Sequence, residues 1–442
     1  MAMQTFVYGI ENGVRSLTRS RLLSCQIILA MAFGIAAFSS AWGALLSLTG
    51  DPLKDVGRET YHPQVDPRPL DIKDASGSPP DDLTLRDARA IFQFSPSGRR
   101  AMSSLNWLPM EPVEGQLHEK RMTMVFARGA TSDFFKLFRA PFAYGSAWSS
   151  SSDNDGSEVV VISKKLNLQL FGGKNSIGNH LQLAGKLFTI IGILNDWEIV
   201  PRVYDLNDGA YAQAEDVFMP FETWLDLPQD YGYGPMKCWA NEQADMDHNP
   251  RSETCTWVQL WVRLFPSEVA QYVDLLKGYS EQQRALGRFQ RSPNVKLKNA
   301  DEWLVYKKVV PDAIKIQLWV AFGLLAVCLV STSALLGVKF RGDFSELGIR
   351  RALGASKRQV FLELLSQGIV IGMLGGIGGI GLGLAVVRIM KSSGQDYAQF
   401  LGVSFSSALF SLIVALCSAL VAAVVPAYVA ANESPYKQMV GR

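Results

Sequence analysis

Residues 339–361 read KFRGDFSELGIRRALGASKRQVF, a strongly basic stretch that separates two long apolar segments. Asp343 and Glu346 have the spacing of a helix N-cap and its reciprocal N3 carboxylate. Gly354 suits the left-handed residue that ends many helices. These signals predict a short helix over residues 344–353.

A second helix is expected to begin directly after this bend. Ser356 and Gln359 repeat the capping spacing at the start of the next apolar stretch. The basic residues of the stretch are Lys339, Arg341, Arg350, Arg351, Lys357 and Arg358. The positive-inside rule places a short loop of this kind in the cytoplasm. We therefore interpret residues 339–360 as a small cytoplasmic loop that bends at Gly354, and we call it the elbow.

Four segments are apolar enough to span a membrane, which requires about 20 residues. They are residues 22–48, 313–338, 361–388 and 405–429. The first contains no Asp, Glu, Lys or Arg, and it is longer than the roughly 7 to 15 apolar residues of a signal peptide. We therefore expect it to be an uncleaved anchor.

The sequence between the first two spans, residues 49–312, has the turns and charges of a water-soluble domain. Its patterns predict strands at 122–127, 158–162 and 256–264, a hairpin at 181–194, and helices at 131–138, 163–171 and 267–286. We expect residues 50–80, with six prolines, to form an irregular connection. The predicted fold is an α-helical membrane protein with four transmembrane helices (1+3) and a large mixed α/β extracytoplasmic domain after the first.

The remaining segments complete the predicted topology. They are an amphipathic cytoplasmic helix at 1–21, a short external loop at 389–404 and a cytoplasmic tail at 430–442. Both termini are then in the cytoplasm.

Composition excludes several classes of function. The 442 residues have a mean hydropathy of +0.09 and a net charge of only +2, without a basic stripe for nucleic acid. No GxxxxGK[ST] motif is present, so we expect any ATPase to be a separate chain. The four histidines lack ligand spacing, and no nucleophile motif occurs, so we expect no metal, no cofactor and no catalytic residue in this chain.

Small residues recur every four positions in two spans. Gly375, Gly379 and Gly383 clear one helix face for close approach, and Ala415 and Ala419 do the same in the last span. We predict helix packing through both faces. A flexible hinge in the glycine run is the alternative.

Cys238 and Cys255 are the two cysteines in polar sequence. The predicted topology places both in the oxidising space outside the cytoplasm, and turn-forming residues separate them. We predict a disulfide between them; two free thiols are the alternative.

The elbow sequence SELGIRRALGASKRQV resembles the corresponding loop of MacB/FtsX-type ABC transporter permeases, the type VII or mechanotransmission family. The segments VVVISKKLNLQLFGG and SIGNHLQLAGKLFTIIGIL resemble the outer domain of its macrolide-exporter branch. This resemblance implies a non-catalytic permease in the bacterial inner membrane with its large domain in the periplasm.

The resemblance also implies partners. They are an ABC ATPase subunit that binds ATP and Mg, and a second copy or sister permease in a dimer. The use of a periplasmic adaptor and an outer-membrane channel is left undecided by the resemblance. The ATPase would act on a coupling helix formed by Phe344, Glu346, Leu347, Ile349, Arg350, Arg351, Leu353 and Gly354.

Three functions follow in order of preference. The first is a permease that converts ATP hydrolysis in a separate subunit into movements of its periplasmic domain, driving efflux or extraction of a cargo from the periplasm or outer leaflet. The spans contain almost no ionisable residue and so lack a polar conduit. The second is a signalling or hydrolase-activating permease of the cell-division type, and the third is a membrane-anchored binding domain.

Overall fold

The four apolar segments each form one long helix in the computed structural model, which describes residues 20–49, 53–72, 77–111, 122–228, 234–239, 249–309, 312–392 and 405–433. The helices are α1 (Arg21–Thr49), α2 (Leu85–Phe94), α3 (Asp133–Leu137), α4 (Ser150–Asp155), α5 (Lys164–Phe171), α6 (Phe221–Leu225), α7 (Val269–Ala285), α8 (Ala300–Tyr306), α9 (Asp312–Gly342), α10 (Phe344–Ala352), α11 (Lys357–Ser392) and α12 (Phe405–Asn432). The strands are β1 (Thr60–Gln64), β2 (Arg100–Glu111), β3 (Thr123–Ala130), β4 (Phe142–Gly145), β5 (Val159–Ile162), β6 (His180–Leu183), β7 (Lys186–Leu194), β8 (Val217–Pro220), β9 (Lys237–Cys238), β10 (Cys255–Thr256), β11 (Gln259–Arg263) and β12 (Lys296–Asn299). A 3₁₀ helix covers Lys54–Glu59.

The chain forms two units. Residues 1–50 and 310–442 make a helical unit, and residues 51–309 make an α/β domain. The expected amphipathic helix at 1–21 falls almost entirely outside the described residues, as does most of the expected external loop at 389–404 and of the expected tail at 430–442. Residues 389–392, expected in the loop, are the last residues of α11.

The helical unit contains α1, α9, α11 and α12, and each has an apolar segment long enough to cross a membrane. They have between 28 and 36 residues. At about 1.5 Å per residue, even the shortest exceeds a hydrocarbon core of roughly 30 Å. Large apolar side chains such as Phe33, Trp319 and Val330 point away from the unit's interior. The chain is a multi-pass membrane protein, and the predicted fold class is confirmed.

The α/β domain is built on one mixed sheet. Among the described residues, ten strands form it in the order β12-β1-β11-β2-β3-β8-β5-β7-β4, with β6 pairing with β2 and β7. The pairs β3 with β8 and β5 with β7 are parallel, and the others are antiparallel. Both faces of the sheet are covered by helices.

Strand alternation separates two apolar cores, one on each face. Val160 and Ile162 of β5 join a core with α2, α5 and α7, whereas Val161 joins the opposite core with α3 and α8. The strand and helix predictions hold with shifted ends. The hairpin turns as expected at Ala184 and Gly185, both with positive φ.

The expectation for residues 50–80 is wrong for residues 54–64, which form the 3₁₀ helix and β1, and β1 lies inside the sheet between β11 and β12. Its inward side chains are polar, so β1 lacks the alternation of apolar and polar residues by which a strand is predicted. His62 bonds to the carbonyl oxygens of Leu260 and Asp81 at 2.8 and 2.6 Å, and Gln64 donates to Pro80 O at 2.9 Å. These bonds satisfy the buried polar atoms.

A buried ionic cluster lies on the α3 side of the sheet. Arg128 of β3 is fully buried and donates to Glu215 at 2.6 Å and to Asp205 at 2.7 Å. Burial alone would lower the pKa of Arg128, but the two carboxylates raise it above its usual value. Tyr204 donates to Glu215 at 2.8 Å. The predicted strand stopped before this charged residue, whereas β3 continues through it to Ala130.

A small second sheet pairs β9 with β10. Cys238 lies opposite Cys255, and the structure joins the two in a disulfide with an S–S distance of 2.06 Å. The bond closes the loop of turn-forming residues between them.

Candidate functional site: the elbow between α9 and α11

The inner face of α10 is apolar and buried. Leu347 is 4% exposed and lies in a buried cluster with Phe340 of α9 and Val360 of α11. Phe344 packs against the same cluster. The spacing of three residues between Phe344 and Leu347 brings both to one side of the helix, which fixes the short helix against the long ones.

The start of α10 differs from the prediction. Asp343 has φ −95° and ψ 4°, and its side chain makes no capping hydrogen bond. An N-cap normally has extended backbone, so that its side chain reaches the free N–H groups. Here the chain passes almost helically from α9 into α10, and Asp343 O accepts directly from Leu347 N at 3.0 Å.

The end of α10 and the start of α11 follow the prediction. Gly354 has φ +106°, in the region that favours glycine. Ser356 N donates to Gln359 Oε1 at 2.8 Å, and Gln359 N donates to Ser356 Oγ at 3.3 Å. The expected reciprocal cap is therefore confirmed, and the chain turns sharply at Gly354.

Arg350 ties α10 to α11. Its guanidinium donates to Glu346 Oε1 at 2.6 Å, one helical turn earlier, and to Glu363 Oε1 at 2.7 Å. Only 13% of the Glu363 side chain is exposed, so solvent screens that second pair less than a surface pair. Glu346 and Arg350 thus hold the elbow in shape from within the chain.

Further polar contacts join the elbow to the ends of α1 and α12. Arg351 donates to the backbone oxygen of Glu433, and Lys357 Nζ donates to Asn432 Oδ1 at 3.3 Å. Lys339 Nζ, at the end of α9, donates to the buried Ser24 Oγ of α1 at 2.9 Å. These contacts link α10 to the ends of α11 and α12, and they link the end of α9 to α1.

The outer face of α10 is apolar and exposed. Ile349 is 54% exposed and Leu353 is 83% exposed, and their spacing of four residues aligns them on one face. Ser345 and Ala352 are exposed beside them. Arg341, Lys357 and Arg358 are exposed in the flanking sequence. An apolar pair in basic surroundings on a clamped helix suits a protein contact.

The predicted packing residues lie between helices of the same chain. A Cβ added at Gly375 would be 2.8 Å from Met31 Cβ, and one at Gly379 would be 2.9 Å from Ile35 Cγ2, both on α1. Gly383 lies farther from α1, at 3.4 Å from Ser40 Oγ. This face of α11 packs on α1 through backbone contacts that a side chain would block.

A second face of α11 carries glycines that the prediction did not single out. Added Cβ atoms at Gly372 and Gly376 would lie 2.2 Å from Ala419 Cβ and 2.8 Å from Ala415 Cβ on α12. Gly368 faces Ala423 in the same way. The glycine run therefore serves two neighbours, one on each side.

Comparison with known proteins places this arrangement in a family. The model of the MacB-like periplasmic core domain matches residues 25–273. The model of the FtsX-like permease C-terminal region matches residues 318–435, which contain the elbow. The chain belongs to the MacB/FtsX-type family of ABC transporter permeases.

Relatives of this MacB/FtsX-type permease include the pyoverdine export ATP-binding/permease protein PvdT of Pseudomonas entomophila, which is 23% identical over 81% of this chain and 48% of the relative. The macrolide export ATP-binding/permease protein MacB of Marinobacter nauticus is 24% identical over 60% of this chain and 36% of the relative. This chain therefore spans less than half the length of these two relatives. The periplasmic region of MacB from Actinobacillus actinomycetemcomitans is 12% identical over 60% of this chain and 98% of that region, with a TM-score of 0.35.

Several residues of the MacB/FtsX-type elbow were not predicted. Glu363, Asn432 and Ser24 supply its internal partners from three different helices. A spacing pattern finds contacts within one helix, but these partners come together only through tertiary packing. Of these three residues, only Glu363 could have been suspected from the sequence, because it is a carboxylate at the edge of an apolar span.

Proposed function

We propose that this chain is the permease subunit of an ABC exporter, and that a separate ATPase docks on α10. The observation that carries the proposal is the exposed pair Ile349 and Leu353 on a short helix whose other residues contact α9, α11 and the end of α12. ATP and Mg bind to the ATPase, and this chain supplies neither catalytic residues nor a cofactor.

The proposed mechanism is mechanical. Closure of two ATPase subunits displaces α10, and the links from Arg350, Arg351 and Lys339 pass the displacement to the long helices. The α/β domain, joined to α1 and α9 through the chain, moves in response and drives a cargo outward from the periplasm or the outer leaflet.

The charge pattern and the family support a location, an oligomeric state and further partners for this chain. The protein lies in the bacterial inner membrane with both termini and the elbow in the cytoplasm, because the basic residues crowd the elbow. It works as a dimer with a second copy or a sister permease. In the efflux role, a periplasmic adaptor and an outer-membrane channel complete the path.

Purification of the tagged chain from its native membrane tests the proposal. We expect an ATPase with a P-loop to co-purify, and the Ile349→Ser, Leu353→Ser double variant to lose it. Leu22→Ser is the matched control, because Leu22 is an exposed leucine, 85% accessible, on α1. An adaptor among the partners supports efflux, whereas a cell-wall hydrolase supports the signalling role. Equal ATPase recovery with both variants would contradict docking on α10.

A further inference from the structure

Three lysines gather around two aromatic rings of the α/β domain, and a fourth joins them through a shared carboxylate. The Nζ atom of Lys298 lies 4.1 Å from the centroid of the Tyr306 ring, and that of Lys296 lies 5.6 Å from it. Lys307 lies 5.3 Å from the Trp303 ring. With Lys237, which shares a carboxylate with Lys307, these residues form a group that we call the lysine cluster.

In the described part of the chain, only one carboxylate, Asp81, forms ion pairs with the lysine cluster. Asp81 accepts from Lys307 at 2.7 Å and lies 3.7 Å from Lys237. Lys296 and Lys298 donate instead to neutral oxygens, Ser78 Oγ at 2.7 Å and Gln64 Oε1 at 2.8 Å. In the part of the chain that the structure describes, neither of these two lysines forms an ion pair.

Two acidic groups near the lysine cluster have other partners within the described residues. Asp66 is bound by the Arg68 guanidinium at 2.8 Å, and Glu302 accepts from Asn299 N at 3.1 Å as part of the cap of α8. Among the described residues, the four lysines of the cluster outnumber the two carboxylates, Asp81 and Glu302, that act on Lys298.

The electrostatic consequence appears at Lys298. Burial and the positive charge of Lys296 lower the pKa of Lys298 to about 8, and Lys307 acts in the same direction. Asp81 and Glu302 oppose the change. An anion near these ammonium groups would favour their charged form.

A cavity of about 270 Å³ opens beside the cluster. Arg68, Asp81, Lys237 and Tyr306 are among its lining residues, so charged groups and an aromatic ring face the same space. Ile72, Pro79, Pro80 and Trp239 supply apolar surface. The volume is far larger than the roughly 30 Å³ that one water occupies in the liquid.

We propose that the lysine cluster and this cavity form a binding site for a phosphate group attached to a partly apolar ligand. Ammonium groups bind phosphate as point charges from several directions, and the aromatic and proline surfaces would contact the attached group. A soluble phosphate ester and a phospholipid headgroup share this chemistry. The site is separate from the elbow and does not depend on the proposed ATPase coupling.

The test measures how fast Lys298 reacts with an acylating reagent at pH 8, read by mass spectrometry. The full chain is held in phosphatidylcholine nanodiscs, with inorganic phosphate compared against sodium chloride at equal ionic strength. A bound anion that raises the pKa by one unit would lower the reactive neutral fraction about fivefold. Lys277 is the control, because it lies exposed on α7 beside Asp274.

A second arm separates the two ligand sources. Nanodiscs in which one fifth of the lipid is phosphatidylglycerol are tested without added phosphate. Protection of Lys298 by phosphate indicates a soluble ligand, and protection by the anionic lipid alone indicates a headgroup. In either case Lys237→Gln, measured against its own anion-free rate, should reduce the protection, and Lys277→Gln should not. Unchanged Lys298 reactivity with both probes, or full protection in Lys237→Gln, would overturn the site.

Discussion

Asp82 is a buried carboxyl group that the fold holds close to its point of titration. Only 3% of the residue is exposed, and Asn207 Nδ2 donates to its Oδ2 at 3.1 Å. Burial, with repulsion from Asp205 and Asp81, raises its pKa to about 7. Arg128, by contrast, is buried with two carboxylate partners of its own.

The pH dependence of stability follows from the direction of this shift. The folded state holds the Asp82 proton more tightly than the unfolded state, whose pKa is near 3.8. Stability contributed by the neutral carboxyl is therefore complete at low pH and is lost as the pH rises through about 7. Above that pH the buried carboxylate destabilises the domain.

Asp82→Asn should remove this loss while keeping a polar group beside Asn207. We expect the midpoint of thermal unfolding to exceed that of the wild type at pH 8 by about 4 °C or more, with a smaller difference at pH 5. Tryptophan fluorescence of the full chain during heating measures the midpoint of unfolding at each pH. Asp226→Asn is the control, because the Asp226 side chain is 64% exposed. Parallel pH curves for wild type and Asp82→Asn would show that Asp82 is not the titrating group.

Helix α11 shows at the scale of one element why glycine is required at some positions and tolerated at others. A Cβ at Gly379 would lie 2.9 Å from Ile35 Cγ2 and 3.1 Å from the Ala32 backbone oxygen. A Cβ added at Gly381, two residues later, would have no atom of another helix within 4 Å. The two positions share one helix and differ in whether a neighbouring helix is in contact.

Gly379→Leu should therefore separate α11 from α1, whereas Gly381→Leu should be tolerated. Overpacking of a close contact destabilises by about 1 to 3 kcal/mol, and backbone contacts leave little room to relax. The yield of monodisperse protein after heating in detergent measures the difference. Because the contact lies within one chain, we expect loss of the folded protomer rather than loss of a dimer alone. Equal yields from the two variants would mean that this face is not tightly packed.

Signals within a few residues of each other predicted their elements well. Ser356 and Gln359 form the expected cap, and Gly354 has the expected positive φ. The cap at Asp343 failed because α9 continues almost to that residue, and the sequence does not show where a preceding helix ends. Four-residue spacing indicated the packing face of α11, but it could not identify α1 as its neighbour.

Long-range contacts account for what the sequence did not predict. Strand β1 contains polar inward residues whose partners are up to 234 positions away. The predicted strand at 122–127 similarly ended before Arg128, because the sequence does not show that Asp205 and Glu215 pair with this charge inside the domain. Buried polar groups of this kind break the apolar pattern on which strand prediction depends.

The whole chain combines an α/β domain and a helical unit that match the two family models. Its 442 residues contain no GxxxxGK[ST] motif, whereas PvdT and MacB are ATP-binding/permease proteins. The elbow offers an exposed apolar pair held on a helix that is fixed to its neighbours on the other side. Coupling through this helix to a separate ATPase is the central claim.

Stimulation of ATP hydrolysis tests that claim most directly. The partner ATPase that co-purifies with the chain is assayed in nanodiscs with wild-type permease, with Leu353→Asp and with the control Leu22→Asp. We expect Leu353→Asp to reduce the permease-dependent part of the rate about tenfold or more, because an ionised carboxylate cannot be buried in an apolar contact. The control Leu22→Asp should retain most of the permease-dependent rate of ATP hydrolysis. Full stimulation by Leu353→Asp, in protein that is folded and present at wild-type amounts, would contradict coupling through α10.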